Sequence, residues 1–366
     1  MSSTLPVKHM ESQTGAMGRL DAVTPPARVV DLGILVSILV LLATGVASMF
    51  AATPSTAWVY VTHGVVGVTL VGLVALKLWR VRRRVRARPT GVWTSIALAV
   101  LALAALATGI AWVFGLELDL GFWGLLNVHI ALGLLVVPVL LVHLRRRFAL
   151  PDRETVTDRR TALQMSGLLV GGAVVWRAQQ SLNRVLDTAG ARRRFTGSRP
   201  VEGESGNDFP VTMWVADDPD RVDLDTWSLR VRGRVDEPFS LDAEDLAPES
   251  ETRALLDCTS GWYAERDWQG LSVGDLLEAA DVRGDAGWVQ FRSVTGYKWS
   301  LPIEEAREAL LATHVDGERL THGHGFPLRL VAPDRRGYQW VKWVEEVRVS
   351  RSRDLSESVA IFVSGL

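Results

Sequence analysis

Leu101-Ala102-Leu103-Ala104-Ala105-Leu106-Ala107-Thr108-Gly109-Ile110-Ala111-Trp112-Val113 lies inside a run from Trp93 to Gly115 that holds no charged residue. At about 1.5 Å per residue, a helix of that length crosses the roughly 30 Å of a bilayer's hydrocarbon. Three similar runs accompany it: Gly33 to Ala52, Ala57 to Trp79 and Phe122 to Leu144. The block Leu106-Ala107-Thr108-Gly109-Ile110-Ala111 echoes Leu42-Ala43-Thr44-Gly45-Val46-Ala47, and His63-x3-Gly67 returns as His129-x3-Gly133. A helical hairpin has been duplicated. The expectation for 31–148 is an all-α membrane bundle of four transmembrane helices.

The connector after the second run carries Arg80, Arg82, Arg83, Arg84, Arg86 and Arg88, and the fourth run is followed by Arg145, Arg146 and Arg147, whereas the other two connectors have no basic residue. Basic loops stay in the cytoplasm, so the tail 1–30 and both Arg clusters are placed there, with His63 and His129 toward the outer face. A shorter apolar run from Thr161 to Trp176 follows Asp158-Arg159-Arg160-Thr161-Ala162-Leu163, which looks like a twin-arginine export signal retained as an anchor. Residues 149–180 are therefore read as a fifth anchoring helix and 181–206 as a linker. An odd number of crossings makes the protein multi-pass in the cell membrane, in contact with lipid, with its C-terminal domain extracytoplasmic.

Ionisable residues inside membrane segments are costly, which makes the intramembrane histidines functional candidates. In an up-down bundle the second and fourth helices are parallel, so His63 and His129 share one depth and can face each other. Two facing imidazoles are a usual way to hold a low-spin haem iron, and the glycines at i+4 clear one turn of each helix for a porphyrin edge. This half resembles the transmembrane di-haem cytochromes b that serve periplasmic oxidoreductases, which implies one haem b between His63 and His129. A second haem iron would take His143, 14 residues after His129, but the equivalent position of the first repeat is Lys77, which fits a snorkelling lysine.

From Val201 onward the chain changes character, with 32 Asp and Glu against 18 Lys and Arg. So acidic a domain repels phosphate backbones and excludes nucleic acid as a partner. The single cysteine, Cys258, excludes intrachain disulfides and multi-thiolate metal sites. Short alternating stretches at Trp227 to Val235, Trp288 to Arg292 and Pro327 to Val331 predict strands, and Ser272 to Ala280 and Pro302 to Leu311 predict helices. Residues 207–366 thus read as an α+β domain.

Ordered motifs define this domain. They are Leu256-Asp257-Cys258-Thr259-Ser260-Gly261-Trp262, Trp268-Gln269-Gly270-Leu271-Ser272, Phe291-Arg292-Ser293-Val294-Thr295-Gly296-Tyr297, Gly323-His324-Gly325-Phe326-Pro327-Leu328-Arg329, and Gly337-Tyr338-Gln339-Trp340-Val341-Lys342-Trp343. The domain resembles the sulfite oxidase family of molybdopterin enzymes, including the catalytic subunits of periplasmic methionine sulfoxide reductases. The resemblance implies a Mo-molybdopterin cofactor with Cys258 as the molybdenum ligand at the catalytic centre. It also implies pterin contacts from Gly337, Trp340, Val341, Lys342, Arg329, His324 and Ser293, with Asn207 and Phe209 upstream. Trp262, Tyr263, Arg266 and Trp268 are either pocket wall or core, and Arg253, Arg266, Arg292 and Arg335 are candidates for an anionic substrate.

The expectation is a membrane-bound oxidoreductase exchanging electrons between an external molybdenum centre and a haem, and so with quinone or another membrane carrier, in oxo transfer on a small S- or N-oxide. The alternatives are sulfite-type oxidation with electrons passing inward, or a haem relay whose soluble domain has lost molybdenum and serves for docking.

Overall fold

The structure, a computed structural model, describes residues 24–86, 93–120, 123–147, 149–203, 205–213 and 217–358. The expected tail up to residue 23 and the connector arginine at position 88 lie outside the described residues. The chain divides into two compact units, one of Met1–Ser48 and Ala57–Arg192 and the other of Met49–Thr56 and Arg193–Leu366.

The first unit is helical: α1 (Ala27–Ser48), α2 (Trp58–Arg86), α3 (Trp93–Val113), α4 (Leu125–Arg147), the single turn α5 (Arg153–Thr157) and α6 (Arg159–Val185). Four helices are long and apolar enough to cross a membrane, and they correspond to α1 through α4. Ile38, Leu70, Val74, Val136 and Leu140 form the buried centre between them. The fifth segment is a continuous helix but is not among those four, because Arg159, Arg160, Arg177 and Arg184 confine its uncharged stretch to 161–176. It runs antiparallel along α2 through small residues. A Cβ on Gly172 would sit 2.2 Å from Thr69 Oγ1, and one on Gly64 would sit 2.2 Å from Trp176 Nε1. Such close backbone approach is how apolar helices associate where no hydrophobic effect separates them from lipid. The side chains of Leu163, Val170, Val174 and Val175 point outward from this helix and are exposed.

The second unit is α+β, with strands β1 (Arg199–Pro200), β2 (Ser228–Gly233), β3 (Phe239–Asp242), β4 (Ser250–Asp257), β5 (Trp262–Ser272), β6 (Trp288–Ser293), β7 (Lys298–Pro302), β8 (Leu310–Val315), β9 (Glu318–Arg319), β10 (Arg329–Val331) and β11 (Val344–Ser350). One sheet has the order β9-β8-β5-β1, with β4 also on β5 and β10 on β8; the other has the order β3-β2-β11-β6-β7. On β5, Trp262, Ala264, Arg266, Trp268 and Gly270 alternate inward, which is the period-two pattern of a half-buried strand. Two helices, α7 (Val273–Ala279) and α8 (Ile303–Arg307), join strands, and α7 is capped by Ser272, whose hydroxyl accepts the Asp275 N–H at 3.2 Å.

Two expectations need correction. The helix expected from Pro302 to Leu311 stops at Arg307, because Leu310 and Leu311 are buried in ladder pairings with Ser272 and Leu271 on one side and Val331 and Leu330 on the other. The stretch 181–206 is not an open linker: Val185 still belongs to α6, and Arg199–Pro200 pairs in parallel with Trp262–Tyr263. Ser198 is fully buried. Residues 193–203 and 205–206 therefore pack with the β-rich unit.

Candidate functional site

Strand β4 carries the chain to Cys258 and β5 carries it away, and the four-residue turn between them is tightly drawn. The Cys258 N–H donates to the Trp262 carbonyl at 2.8 Å and the Gly261 N–H to the Cys258 carbonyl at 3.1 Å. Gly261 has φ of 100°, a conformation that a side chain would oppose. The thiol is buried, with Sγ 3.1 Å from Ser260 Oγ. Gly337 comes so close that a Cβ there would be 3.1 Å from Cys258 Cα, which explains the glycine opening that motif.

Around this turn sit the basic residues expected for a cofactor. Arg329, on β10, is buried; its Nη1 donates to the His324 carbonyl at 2.9 Å, and its guanidinium lies 5.6 Å and 5.9 Å from the Trp268 and Trp340 ring centroids. Burial lowers its pKa to about 10, while proximity to Cys258 works upward. Lys342 donates to the carbonyls of Thr212 at 3.0 Å and Gly323 at 2.6 Å. Burial, and then the Arg329 charge, lowers its pKa to about 7, opposed by Cys258 and Asp217. His324 is 2.7 Å from Thr321 Oγ1 through Nδ1, and its Nε2 donates to the Phe209 carbonyl at 2.9 Å. Burial holds it down to about 4 against that hydrogen bond, so the ring is neutral at pH 7.

Several buried donors here have no hydrogen-bond partner among the described residues: Arg329 Nε, Arg336 Nε, Gln339 Nε2, Trp340 Nε1 and the Tyr338 hydroxyl. Buried donors in folded proteins are almost always satisfied. Of these, Arg329, Arg336 and Trp340 lie around the cysteine turn, a donor set that fits a ligand rich in acceptors and negative charge, and the soft sulfur suits a transition metal. The residues present thus fit a molybdenum–pterin group bearing a phosphate.

The other expected residues are placed as follows. Val341 is wholly in the core, and Trp340 is buried edge-on against Trp268. Phe209 packs on Trp262, Trp268 and His324, so it walls the site with its ring as well as accepting from His324. Ser293 Oγ accepts from the Thr295 N–H at 3.3 Å. Asn207 is half-buried and braces the loop, donating to the Arg319 carbonyl at 3.0 Å and accepting from the Thr321 N–H at 3.1 Å. Of the residues left between pocket and core, Trp268 is core. Arg266 is taken up by the Gly203 carbonyl at 2.6 Å and Asp316 at 3.3 Å. Arg253 pairs with Glu265 and Asp267, and Arg335 with Glu305, while Arg292 is exposed.

Sequence reading missed Asp217 and Arg336. Asp217 lies close enough to Thr295 and Lys342 to interact with both, and burial raises its pKa. Arg336 donates to the Cys258 carbonyl at 3.2 Å and ion-pairs with Asp257 at 2.6 Å. Its one signal was adjacency to Gly337.

In the helical unit, His63 and His129 face each other with ring centroids 6.2 Å apart and planes at 72°. Thr44 Oγ1 is 2.7 Å from the Val40 carbonyl, so its proton is engaged there and His63 Nδ1, 2.9 Å away, is the donor to it. His129 Nδ1 donates to the Ala105 carbonyl at 2.9 Å, with Thr108 Oγ1 at 3.3 Å. Both rings therefore carry the proton on Nδ1 and turn an Nε2 lone pair free for a metal, the usual arrangement of ligating histidines. A Cβ on Gly133 would meet nothing within 4 Å, and one on Gly67 only a Leu41 methyl at 3.9 Å, so no neighbouring side chain packs closely against either glycine. The Thr-Gly of the repeat is also explained: each threonine meets the following helix's imidazole, and Gly109 admits the His129 ring at 3.1 Å. His143 has Ser95 Oγ at 3.4 Å, and Lys77 is engaged with Asp31 at 2.9 Å, so the lysine is not presented as a second axial ligand.

Comparison with known proteins matches residues 215–358 to the oxidoreductase molybdopterin binding domain. The uncharacterized oxidoreductase YuiH of Bacillus subtilis (strain 168) is 34% identical over 161 residues, covering 43% of this chain and 81% of that protein. The protein-methionine-sulfoxide reductase catalytic subunit MsrP of Xanthomonas campestris pv. campestris is 28% identical over 229 residues, covering 54% of this chain and 71% of its own. A putative protein-methionine-sulfoxide reductase subunit, YedZ1 of Azospira oryzae, is 28% identical over 149 residues, covering 39% of this chain and 57% of that one. With a buried thiol inside a cradle of donors, and with these relatives, the chain belongs to the sulfite oxidase-like family of molybdopterin-binding oxidoreductases and is a molybdenum-dependent enzyme of the sulfite oxidase and sulfoxide reductase class.

Proposed function

We propose that the enzyme works in the membrane, with a molybdenum–pterin centre held by Cys258 exchanging electrons with one b-type haem held by His63 and His129, and through it with quinone, to reduce small S- or N-oxides. The observation that carries the reading is the group of unpartnered donors, Arg329 Nε, Arg336 Nε and Trp340 Nε1, around a single buried thiol. Bound there, the cofactor supplies oxo exchange and two-electron cycling. The chain's residues bind and exclude water. Arg329 and Lys342 offer positive charge to the pterin phosphate, neutral His324 holds the Phe209 carbonyl, and the Phe209, Trp262 and Trp268 rings close the apolar side. Relatives named as methionine sulfoxide reductase subunits favour a sulfoxide as substrate.

On the membrane side, the Nδ1–H tautomers of His63 and His129 favour a bis-imidazole haem; Lys77, paired with Asp31, argues against a second haem at His143. The apolar outer face of α6 and its antiparallel course along α2 support a fifth crossing and an extracytoplasmic catalytic domain. Full-length protein purified from membranes in detergent should hold about one molybdenum and one haem per chain, and should reduce methionine sulfoxide with a quinol as donor. Absence of molybdenum would leave a docking module, and turnover of sulfite with an acceptor, in place of sulfoxide with a quinol, would reverse the direction of flow.

A further inference from the structure

Asp257 is buried to 2% of its surface, and its carboxylate is the meeting point of two distant stretches of chain. From one side Arg336 Nη1 lies 2.6 Å from Oδ1. From the other, the segment leading into β1 brings the Ser198 hydroxyl at 2.6 Å, the Thr196 hydroxyl at 2.8 Å and Arg194 Nε at 3.4 Å. A buried carboxylate left without such partners would be strongly disfavoured. Four donors match the roughly four lone-pair positions of a carboxylate, and their contacts do not stop at Asp257. Arg336 Nη2 also donates to the Cys258 carbonyl at 3.2 Å, and Ser198 Oγ reaches the same carbonyl at 3.5 Å. The strand that follows, Arg199–Pro200, pairs with Trp262–Tyr263, where the chain leaves the cysteine turn.

We infer that residues 194–198, with Asp257 and Arg336, are a positioning device for the Cys258 thiolate. The strap and the arginine hold the Asp257 carboxylate on one side of the cysteine Cα and the Cys258 carbonyl on the other, so that the direction of its Cα–Cβ bond is set from behind and Sγ is presented to the metal without adjustment. Preorganisation by the groups that hold a ligand is as consequential for a metal site as the ligand itself. None of these side chains is placed at the metal; they act through the cysteine. The inference rests on the reading of Cys258 as the molybdenum ligand.

The test uses full-length protein in detergent, with two readouts besides turnover: molybdenum per chain, and the paramagnetic resonance line positions of the one-electron-reduced metal. Thr196→Val with Arg194→Gln removes two grips from the half-buried part of the strap, and Thr196→Ser with Arg194→Lys restores a hydroxyl and a charge. The first pair should lose at least half of the metal or shift the line positions, and the second should recover both. Asp257→Asn should show the larger shift, and if it does not fold, the strap variants decide. Wild-type metal content and line positions in Thr196→Val with Arg194→Gln would overturn the positioning role. Cys258→Ser separates the two ideas. Unchanged line positions there would sink the ligand reading and the inference with it, whereas a lost signal in Cys258→Ser beside an unchanged one in the strap variants would sink the inference alone.

Discussion

Cys258 is the one residue whose chemistry no other side chain in the chain can replace. Cys258→Ser should abolish most molybdenum-dependent turnover while leaving the visible spectrum of the proposed haem, since Cys258 and the His63–His129 pair lie in separate units; equal loss of haem would contradict that separation. A finer test concerns Thr44. Its hydroxyl accepts the His63 Nδ1–H at 2.9 Å, and removing such a partner weakens metal ligation about 10–100-fold and makes the imidazole a poorer donor. Thr44→Val should therefore raise the haem midpoint potential, read by redox titration of the visible bands. A potential unchanged in that variant would mean the hydroxyl does not support an iron ligand. His324 gives a pH signature. Its folded pKa of about 4 lies below the ordinary 6.5, so between those values the unfolded chain binds a proton that the folded chain does not. Stability from this group is thus present above pH 6.5 and is lost as the pH falls toward 4, by roughly 3 kcal/mol at most. Asp217, raised by burial, opposes this near the carboxylate range. Denaturant titrations of cofactor-free protein at pH 7 and 4.5 should show the loss, and His324→Gln should remove most of it.

At the scale of elements, the repeat in the apolar half was legible because duplication preserves register: Thr44 and Thr108, like His63 and His129, recur at matching positions, and the structure brings Thr44 to His63, Thr108 to His129 and the two imidazoles to each other. The motifs around Cys258 were equally legible, since each sits at a strand end or turn whose geometry demands particular residues, as Gly261 and Gly337 do. Contacts across long sequence distance were not. Nothing in Arg194-Phe195-Thr196-Gly197-Ser198 announces that its side chains will reach a carboxylate some sixty residues later, and an Arg- and Gly-rich stretch looks like linker by composition. Likewise Leu310 and Leu311 fit a helical pattern locally, and only their ladder partners make them strand. The contact of α6 with α2 was hidden for a simpler reason, since small residues leave no pattern of their own. It can be tested by Gly172→Ala, whose Cβ would lie 2.2 Å from Thr69 Oγ1 and 3.0 Å from the Val65 carbonyl oxygen. Overpacking of this kind costs about 1–3 kcal/mol. A lower melting temperature in detergent is expected, and a wild-type value would show that α6 does not pack there.

For the whole molecule, the decisive question is the side on which the catalytic unit lies. The proposed five crossings place it outside, and trypsin added to right-side-out vesicles should then cut at Arg184 or Arg192, which are exposed, and spare Arg194, which is held by Asp257. Residues 193–366 would be released. Cleavage in inverted vesicles only would place the unit in the cytoplasm and remove the fifth crossing from the proposal. The grip on Asp257 has a further meaning in time. Its two halves are made far apart: Ser198 is translated 59 residues before Asp257, and Arg336 follows Cys258 by 78. At about 5–20 residues per second, the ribosome takes on the order of 4–16 s to supply that arginine after the cysteine has emerged. Throughout that interval the chain has the proposed ligand thiol without the arginine that holds its carbonyl. On the proposed reading, loading of the site would therefore wait until Arg336 has been made, well after the apolar helices that precede it in the chain.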